Sequence, residues 1–431
     1  MASGPRQLTR ALQHRNYRLF FGGQSASLVG TWITRVATSW LVYRLTGSEL
    51  LLGVVGFCGQ IPTLLLAPIA GVLVDRWPRH RILLVTQILS MLQSFLLGGL
   101  TFAGVIQVWH VLVLQIAQGV INAFDTPARQ TFVIEMVEDR ADLPNAIALN
   151  SSMVNGSRVI GPSIGGAIIA AVGEAWCFTI DGISYLFVIA SLLAMRLSPC
   201  ASRAEPGTNM LEELRTGVAY VAGSVPIRTA LILLAIVSTM GMPYTVLMPV
   251  IAANVLHGGP STLGWLMTAT GVGALAGTVY LASRASVVGL GRVISAATLL
   301  FGLSLIAFAA SRVLWLSLLL LPLVGAGFMA QMAATNTILQ TIVDDRFRGR
   351  VMAFYTMAFL GTAPLGSLLA GVLASRMGAP KTIALGGAAC VAASVWFHSK
   401  LPLLRTLVRP IYVERGILPI PVVVDAGQKT L

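Results

Sequence analysis

Charged residues are scarce in this chain. Its 431 residues include only 16 acidic ones, and 10% of all residues are charged, against about 25% in an ordinary soluble domain. Two long runs, 229–283 and 313–343, contain no Asp, Glu, Lys or Arg at all. A helix of about 20 apolar residues spans a bilayer. The composition therefore excludes a soluble globular protein and indicates an integral membrane protein.

The signatures of several other protein classes are also missing. The four cysteines contain no C-x-x-C pair, so neither a disulfide framework nor a metal site is favoured. No G-x-x-x-x-G-K-[ST] phosphate loop indicates an ATP-driven pump, and no hydrolytic triad is recognisable. We therefore expect no enzyme, cofactor or metal. Residues 1–18 are basic and polar rather than signal-peptide-like, so the first span should act as its own signal.

Apolar runs of spanning length recur twelve times. They lie at about 17–45, 50–74, 82–105, 108–134, 145–172, 175–197, 227–256, 261–283, 291–311, 313–340, 351–375 and 380–399. Of the 29 Lys and Arg residues, 22 fall on the side of the N-terminus, 4 on the other side and 3 within spans. This asymmetry predicts that both termini are cytoplasmic. It also explains the net charge of +13 without a nucleic-acid partner.

The chain divides into two similar halves. A polar, Pro/Gly-rich stretch near 198–209 precedes an amphipathic segment at 210–221, and six spans lie on each side. Glycines 156, 161 and 166 recur about 205 residues later at 361, 366 and 371, which indicates a duplicated unit. We predict an all-α membrane protein with twelve transmembrane helices in two pseudo-symmetric six-helix bundles. The predicted divisions are 1–197 (N-terminal bundle), 198–225 (cytoplasmic linker), 226–400 (C-terminal bundle) and 401–431 (cytoplasmic tail).

A dense charged turn separates the second and third spans. It reads Gly71-x-Leu73-x-Asp75-Arg76-x-Pro78-Arg79-His80-Arg81. The turn resembles motif A of the major facilitator superfamily, with Pro78 in place of that motif's second glycine. The resemblance extends over nearly the whole chain and implies that fold, with Asp75 and Arg76 in a gate at the inner ends of the halves. A simple positive-inside anchor is the alternative.

Two further stretches resemble motifs of the same superfamily. Gly161-Pro162-Ser-Ile-Gly165-Gly166 in the fifth span is similar to the core of motif C, which the superfamily associates with exporting antiporters. Glycines at this spacing also let a neighbouring helix approach closely, so plain packing is an alternative. In the fourth span Gln115-x-x-Gln118-Gly119 stands where motif B has an arginine linked to proton coupling.

The segments 122–130 and 142–150 resemble the branch that contains enterobactin exporters and macrolide-type drug exporters. That branch implies export of a small molecule. The acidic residue common in its first helix is replaced by Thr31.

Ionisable groups inside spans are rare and usually functional or paired. Asp125 and Arg129 are four residues apart and can pair on one helical face, although Arg129 could also reach the interface. We assign them, with the charged turn, to an inner-gate network. Its predicted members are Gly71, Asp75, Arg76, Arg79, Arg81, Asp125 and Arg129.

A second set of polar side chains lies deeper in the spans. The candidates for substrate or proton binding are Arg35, Arg158, Asp181, Gln115, Asn336 and Tyr355. Arg35 and Asp181 reach a similar depth and could pair. Alternatively, Asp181 could carry the coupling proton or have a structural role. Arg35 and Arg158, against a single deep carboxylate, favour an anionic or catecholate-like ligand over a cationic drug.

We therefore predict a monomeric transporter in the bacterial plasma (inner) membrane. It should export an amphipathic small molecule, drug-like or siderophore-like, by alternating access, with protons as the coupling ion. Its other partner is the lipid bilayer. The alternatives are a lipid or lysolipid transporter on the same fold and a non-transporting membrane receptor or scaffold.

Overall fold

The computed structural model describes residues 10–137, 139–196, 210–284 and 286–418, and within them almost the whole backbone is helical. Thirteen long helices occur in this described part. They are α1 (Arg15–Thr46), α2 (Glu49–Arg76), α3 (Arg79–Phe102), α4 (Val108–Met136), α5 (Leu143–Val172), α6 (Glu174–Ala194), α7 (Met210–Gly223), α8 (Val225–Val255), α9 (Pro260–Ala282), α10 (Leu290–Ala310), α11 (Leu314–Ile342), α12 (Arg348–Met377) and α13 (Ala379–Glu414).

Twelve of these helices coincide with the twelve predicted spans. Nine helices in the described residues are apolar and long enough to cross a membrane; α1, α4, α5 and α7 fall outside this group. The helices α1, α4 and α5 are 32, 29 and 30 residues long and pack against the other spans. The prediction of an all-α membrane protein is confirmed.

The last helix is longer than the sequence indicated. The predicted tail starts at 401, but α13 continues without interruption to Glu414. Leu401, Leu404, Val408 and Tyr412 are buried, and this spacing places them on one helical face. Arg415 donates to the carbonyl oxygen of Val343 at 2.6 Å. The part of the predicted tail that follows residue 400 is therefore an amphipathic helical extension that packs against the end of α11. Residues 419–431 lie outside the described part.

Short connections reverse the chain between helices. Gly47 ends α1 with a left-handed backbone (φ 60°), which glycine adopts without steric cost. Ser48 caps α2 by accepting the N–H of Leu51 at 3.3 Å. We call the side of the bundle where α1 begins the basic face, and the side where α1 ends and α2 begins the opposite face.

Polar contacts at both faces hold α1 and α6 antiparallel to each other. On the basic face, the Asn16 side chain bonds to the backbone of Arg196, joining the start of α1 to the end of α6. On the opposite face, Arg44 makes a two-bond pair with Glu174 at 2.7 and 3.2 Å, joining the end of α1 to the start of α6.

Two spans contain wide-turn segments. The helix α8 has π-helical turns at Val237–Gly241 and Ile251–Val255, and α12 has one at Met357–Gly361. Pro243 and Pro364 follow two of these turns, and proline lacks the N–H that a regular helix would use. Such turns often mark functional positions.

The connecting helix α7 belongs to the second half by its contacts. The ring of Tyr220 stacks on Phe347 with centroids 4.2 Å apart, and Gly217 lies against Phe354. The part of the predicted linker at 198–209 lies outside the described residues.

Candidate functional site

Bare backbone joins α5 to α9 near the opposite face. A β-carbon placed on Gly264 would lie 2.6 Å from the carbonyl oxygen of Pro162 and 3.0 Å from the Cα of Gly166. A real side chain does not fit at such distances, so only glycine permits this approach. Ser261 adds a hydroxyl bond to the Gly166 carbonyl oxygen at 3.4 Å.

The same kind of contact joins α2 to α12. A β-carbon on Gly371 would lie 2.9 Å from the Cα of Gly53. Nearby, the Tyr43 hydroxyl donates to the amide oxygen of Asn254 at 2.6 Å, which links the ends of α1 and α8. The two sets of six spans are therefore closed against each other at the opposite face.

The basic-face half of the interior is open. At Gly71 near the end of α2, and at Gly156 on α5, an added β-carbon would meet no other described segment within 4 Å. Within the described residues, the close contacts between α5 and α9 run only from the opposite face to Arg158 and Gly271, near the middle of both helices. Among the described residues, the close glycine contacts between the two halves therefore lie toward the opposite face, and we call the space between the halves on the basic-face side the cavity.

The deep end of this cavity holds two arginines and a tryptophan. The guanidinium carbon of Arg35 lies 4.4 Å from the ring centroid of Trp32, and that of Arg158 lies 5.5 Å from the same ring. Arg35 is exposed although it lies well inside α1, and Arg158 is half-buried. An indole face attracts cations, so both guanidinium groups make a cation–π contact with the ring of Trp32.

Groups from the second half complete this end of the cavity. Nη1 of Arg158 donates to the sulfur of Met329 on α11 at 3.3 Å. The buried Tyr244 of α8 lies within electrostatic reach of Arg158 and beside Thr270. Nε of Arg158 is buried and has no hydrogen-bond partner among the described residues.

Motif C positions the tryptophan. Gly161 packs directly on the β-carbon of Trp32, and a β-carbon at Gly165 would lie 3.2 Å from the Cα of Ile33. Gly166 faces the other way, toward α9. The motif therefore gives α5 one smooth surface for α1 and another for α9.

Asp181 lies apart from the arginines. Its Oδ2 accepts hydrogen bonds from Thr34 and Ser94, both at 2.9 Å, and its Oδ1 is buried without a partner in the described part of the chain. The suggested Arg35–Asp181 pair is wrong, because Thr34 rather than Arg35 faces α6 while Arg35 turns to Trp32. Adjacent helical residues point about 100° apart.

The predicted inner-gate residues form two groups. In the first, the buried Asp125 accepts from Thr86 and Gln87 on α3 at 3.0 and 2.9 Å, and its other oxygen lies 3.6 Å from Arg129. The carboxylate thus ties α4 to α3 as well as to its own helix.

In the second group, Arg79 pairs with Glu135 of α4 at 2.5 Å. Arg76 and Arg81 are exposed at the basic face. The side chain of Asp75 lies outside the described part of the structure. Glu135 was not predicted, although its sequence position at the end of the fourth span is a recognisable signal.

The remaining candidates lie elsewhere. Gln115 of α4 approaches α2 at Gly59. Asn336 accepts from Gln340 at 2.6 Å, and the Tyr355 hydroxyl donates to the carbonyl oxygen of Met332 at 3.2 Å. Asn336 is two turns beyond Met329 along α11, about 10 Å nearer the basic face, so these groups line a different level of the interior.

The profile of a family described as transmembrane secretion effectors matches residues 9–408. The chain belongs to this family. Its place in the major facilitator superfamily, predicted from the motifs, is thereby confirmed.

Several bacterial transporters are similar over most of their length. The staphyloferrin A transporter of Staphylococcus aureus (strain NCTC 8325 / PS 47) is 26% identical, covering 88% of this chain and 95% of the relative. The multidrug efflux pump Tap of Mycolicibacterium fortuitum is 28% identical, covering 81% and 87%. The macrolide efflux protein A of Streptococcus pyogenes is 20% identical, covering 87% and 94%.

Solved structures share the fold. A bacterial homologue of the human lysosomal transporter Spinster, inward-facing and occupied, aligns with a TM-score of 0.66 and 15% identity over 96% of this chain and 99% of that one. A POT family transporter in complex with 5-aminolevulinic acid gives 0.71 and 12% identity over 90% and 96%. The family match and the bacterial transporters that resemble the chain over most of its length show that it is a small-molecule transporter of the bacterial plasma membrane, and not an enzyme.

Proposed function

We propose that this member of the family exports amphipathic small molecules by alternating access, driven by proton antiport. The observation that carries the proposal is the single-sided cavity, closed at the opposite face by glycine contacts and open at the basic face. A cavity with one open end, deep polar groups and apolar walls fits a carrier that loads from that side.

The basic face is the cytoplasmic one in this proposal. Arginines concentrate there, as the positive-inside rule requires, and both termini then lie in the cytoplasm. The chain works as a monomer with two six-helix bundles, α1–α6 and α8–α13, that rock about the cavity. Export is supported by similarity to two efflux proteins and a staphyloferrin A transporter.

The gate at the basic face closes in the other half of the cycle. Gly71 has open space beside it here, and the opposing bundle would fill that space on closure. The pairs Asp125–Arg129 and Arg79–Glu135 hold α3 and α4 in position beside the charged turn. We assign Asp75, Arg76 and Arg81 to the closed form of the same gate.

Asp181 is our candidate for the coupling carboxyl group. It lies among α1, α3 and α6, and within the described residues no cation pairs with it. Two hydroxyl groups donate to Oδ2, which leaves Oδ1 free to hold a proton. Intramembrane carboxyl groups commonly act as proton relays.

The test is uptake into inside-out vesicles with an imposed proton gradient. The probes are ethidium, a cation, and 2-naphthalenesulfonate, a permanent anion. Wild type is compared with Asp181→Asn and with Thr34→Val, which removes one hydroxyl donor but keeps the carboxyl group. We expect gradient-dependent accumulation of at least one probe in wild type, loss in Asp181→Asn and a smaller change in Thr34→Val.

Accumulation that persists after the gradient is collapsed would exclude antiport. Gradient-driven uptake that survives in correctly folded Asp181→Asn would instead reject Asp181 as the coupling group. The alternative, a structural role for Asp181, would then be favoured.

One observation favours lipid as a second candidate cargo. A cleft of about 520 Å³ lies between α9 and α10 with α11 as its floor, and its lining includes Gly277, Tyr280, Ala296, Leu300 and Ala326. Leu300 belongs to an exposed apolar surface that would face the bilayer. If lipid is the cargo, Ala296→Trp should stop transfer of a fluorescent lysophospholipid between leaflets; unchanged transfer excludes this route.

A further inference from the structure

Two cations face the cavity, and no described residue supplies a counter-charge to either. Arg158 is near the middle of α5, about 21–23 Å from either end, and Arg35 is about 17 Å from the end of α1. Neither makes an ion pair with any described residue. An arginine at this depth of a membrane is costly unless it faces a bundle interior and finds a partner.

The acidic groups inside the membrane are engaged elsewhere. Asp181 is bound by hydroxyls of Thr34 and Ser94 on the other side of α1. Asp125 pairs with Arg129 and bonds to α3. No carboxylate in the described residues is therefore available to the two cavity arginines.

Arg158 also lacks hydrogen-bond acceptors for part of its guanidinium group among the described residues. A guanidinium has five N–H donors, yet Nη1 of Arg158 donates to the sulfur of Met329, a weak acceptor. Its Nε is buried and unpartnered among the described residues. Both guanidinium groups lie over one indole, so they are within about 10 Å of each other and repel.

We propose that Arg35 and Arg158 bind the carboxylate of an organic anion, whose apolar body packs against Trp32 and Met329. This inference rests on the proposed function and defines its substrate class. A planar carboxylate accepts the parallel N–H groups of a guanidinium. The bound anion removes the repulsion between the two cations and supplies the acceptors that Arg158 lacks. Cations are rejected because both charged side chains that the described residues place at the deep end of the cavity are positive.

Motif C contributes to this site by positioning. Gly161 packs on the β-carbon of Trp32, and the guanidinium groups of Arg35 and Arg158 both lie against the Trp32 ring. Gly161→Ala should shift the indole and weaken binding of the anion, although residue 161 does not touch the ligand.

The experiment compares three isosteric probes on purified protein in lipid nanodiscs, with empty nanodiscs subtracted. They are 2-naphthoate, 2-naphthamide and 2-naphthylmethylammonium, measured by equilibrium dialysis. We expect naphthoate to bind at least about tenfold more tightly than the amide, and the ammonium compound to bind most weakly; charge-assisted hydrogen bonds give differences of this size.

Variants then assign the charge preference to residues. Arg158→Gln and Arg35→Gln should each weaken naphthoate binding by about tenfold and leave the amide nearly unchanged. Arg158→Lys should keep part of the preference for naphthoate, because lysine retains the positive charge but lacks the paired N–H donors of a guanidinium. Arg312→Gln is the matched control: Arg312 is exposed at the opposite face, so its loss should have no effect.

The proposal is overturned if naphthoate and naphthamide bind equally, if no probe binds, or if the preference survives both Gln variants. The wild-type comparison stands even if a variant does not fold. The binding measurement needs no proton gradient, so it tests the anion site separately from proton antiport. Anion-selective binding without gradient-driven uptake rejects proton antiport and keeps the site, whereas gradient-driven uptake of ethidium without anion preference does the reverse.

Discussion

Leucine at position 264 should shift the protein toward the state whose opposite face is open. The atoms that a side chain would meet are the carbonyl oxygen of Pro162 at 2.6 Å and the Cα of Gly166 at 3.0 Å from the β-carbon. Both belong to the backbone of α5, so no side-chain rotation relieves the overlap. The two helices must separate by roughly 1 Å to restore carbon contacts of about 3.5–4.0 Å.

The size of the shift follows from the cost of overpacking. Inserting carbon atoms into a tight contact costs about 1–3 kcal/mol. This contact exists only while the opposite face is closed, so the cost falls on that state alone. A difference of this size changes the ratio of the two states about 5- to 150-fold.

Spin-label distances across the opposite face would measure the change. Val172→Cys at the end of α5 and Arg376→Cys near the end of α12 are both exposed, and the four native cysteines are replaced in this background. We expect Gly264→Leu to move the distance distribution to longer values. Gly99→Leu is the control, because a β-carbon at Gly99 meets no other segment within 4 Å. Identical distributions for wild type and Gly264→Leu would refute the reasoning.

Two further predictions concern other contacts. Gly71→Leu should have the opposite sign: it fits the space present here and obstructs closure of the basic face, so uptake should fall at least tenfold while naphthoate binding persists, and normal uptake would contradict the gate. Arg44→Gln leaves the buried carboxylate of Glu174 without its partner, so the thermal unfolding midpoint should drop by a few degrees. Arg44→Gln/Glu174→Gln should lose less than the two single changes together, and additive losses would show that the pair contributes nothing.

Helix positions could be predicted from the sequence because the bilayer requires long apolar runs. Eleven of the twelve predicted spans agree with the structure within a few residues at both ends. The twelfth helix is longer than its apolar run, since the residues beyond 400 include Arg405 and Arg409 and are no longer typical of a span. They remain helical because one face packs against Val343 and Ile227. Amphipathic continuation of this kind is invisible to a search for apolar runs.

Pairing inside the membrane could be predicted less well. Asp125 and Arg129 share a helix, and their spacing alone places them on one face. Arg35 and Asp181 are on different helices. Thr34, the residue next to Arg35, is the one that points toward Asp181 and donates the hydrogen bond to its carboxylate. Trp32 was missed, although it precedes Arg35 by three residues and so lies on the same face. The partner from α5 could not be inferred, because it depends on how closely Gly161 lets the helices approach.

The charge of the proposed anion site has a consequence for the energy source of transport. If the cargo is an anion, its exit from a cell with a negative interior is driven by the membrane potential itself. Moving one charge through 100 mV releases about 2.3 kcal/mol, which corresponds to about a fiftyfold concentration ratio. Exchange of one such anion for one entering proton transfers two charges in the favourable sense and doubles that gain. A cationic cargo exported through the same cavity would move against the membrane potential and would not gain this free energy. The charge of the binding site therefore determines how far the protein can concentrate its substrate outside the cell.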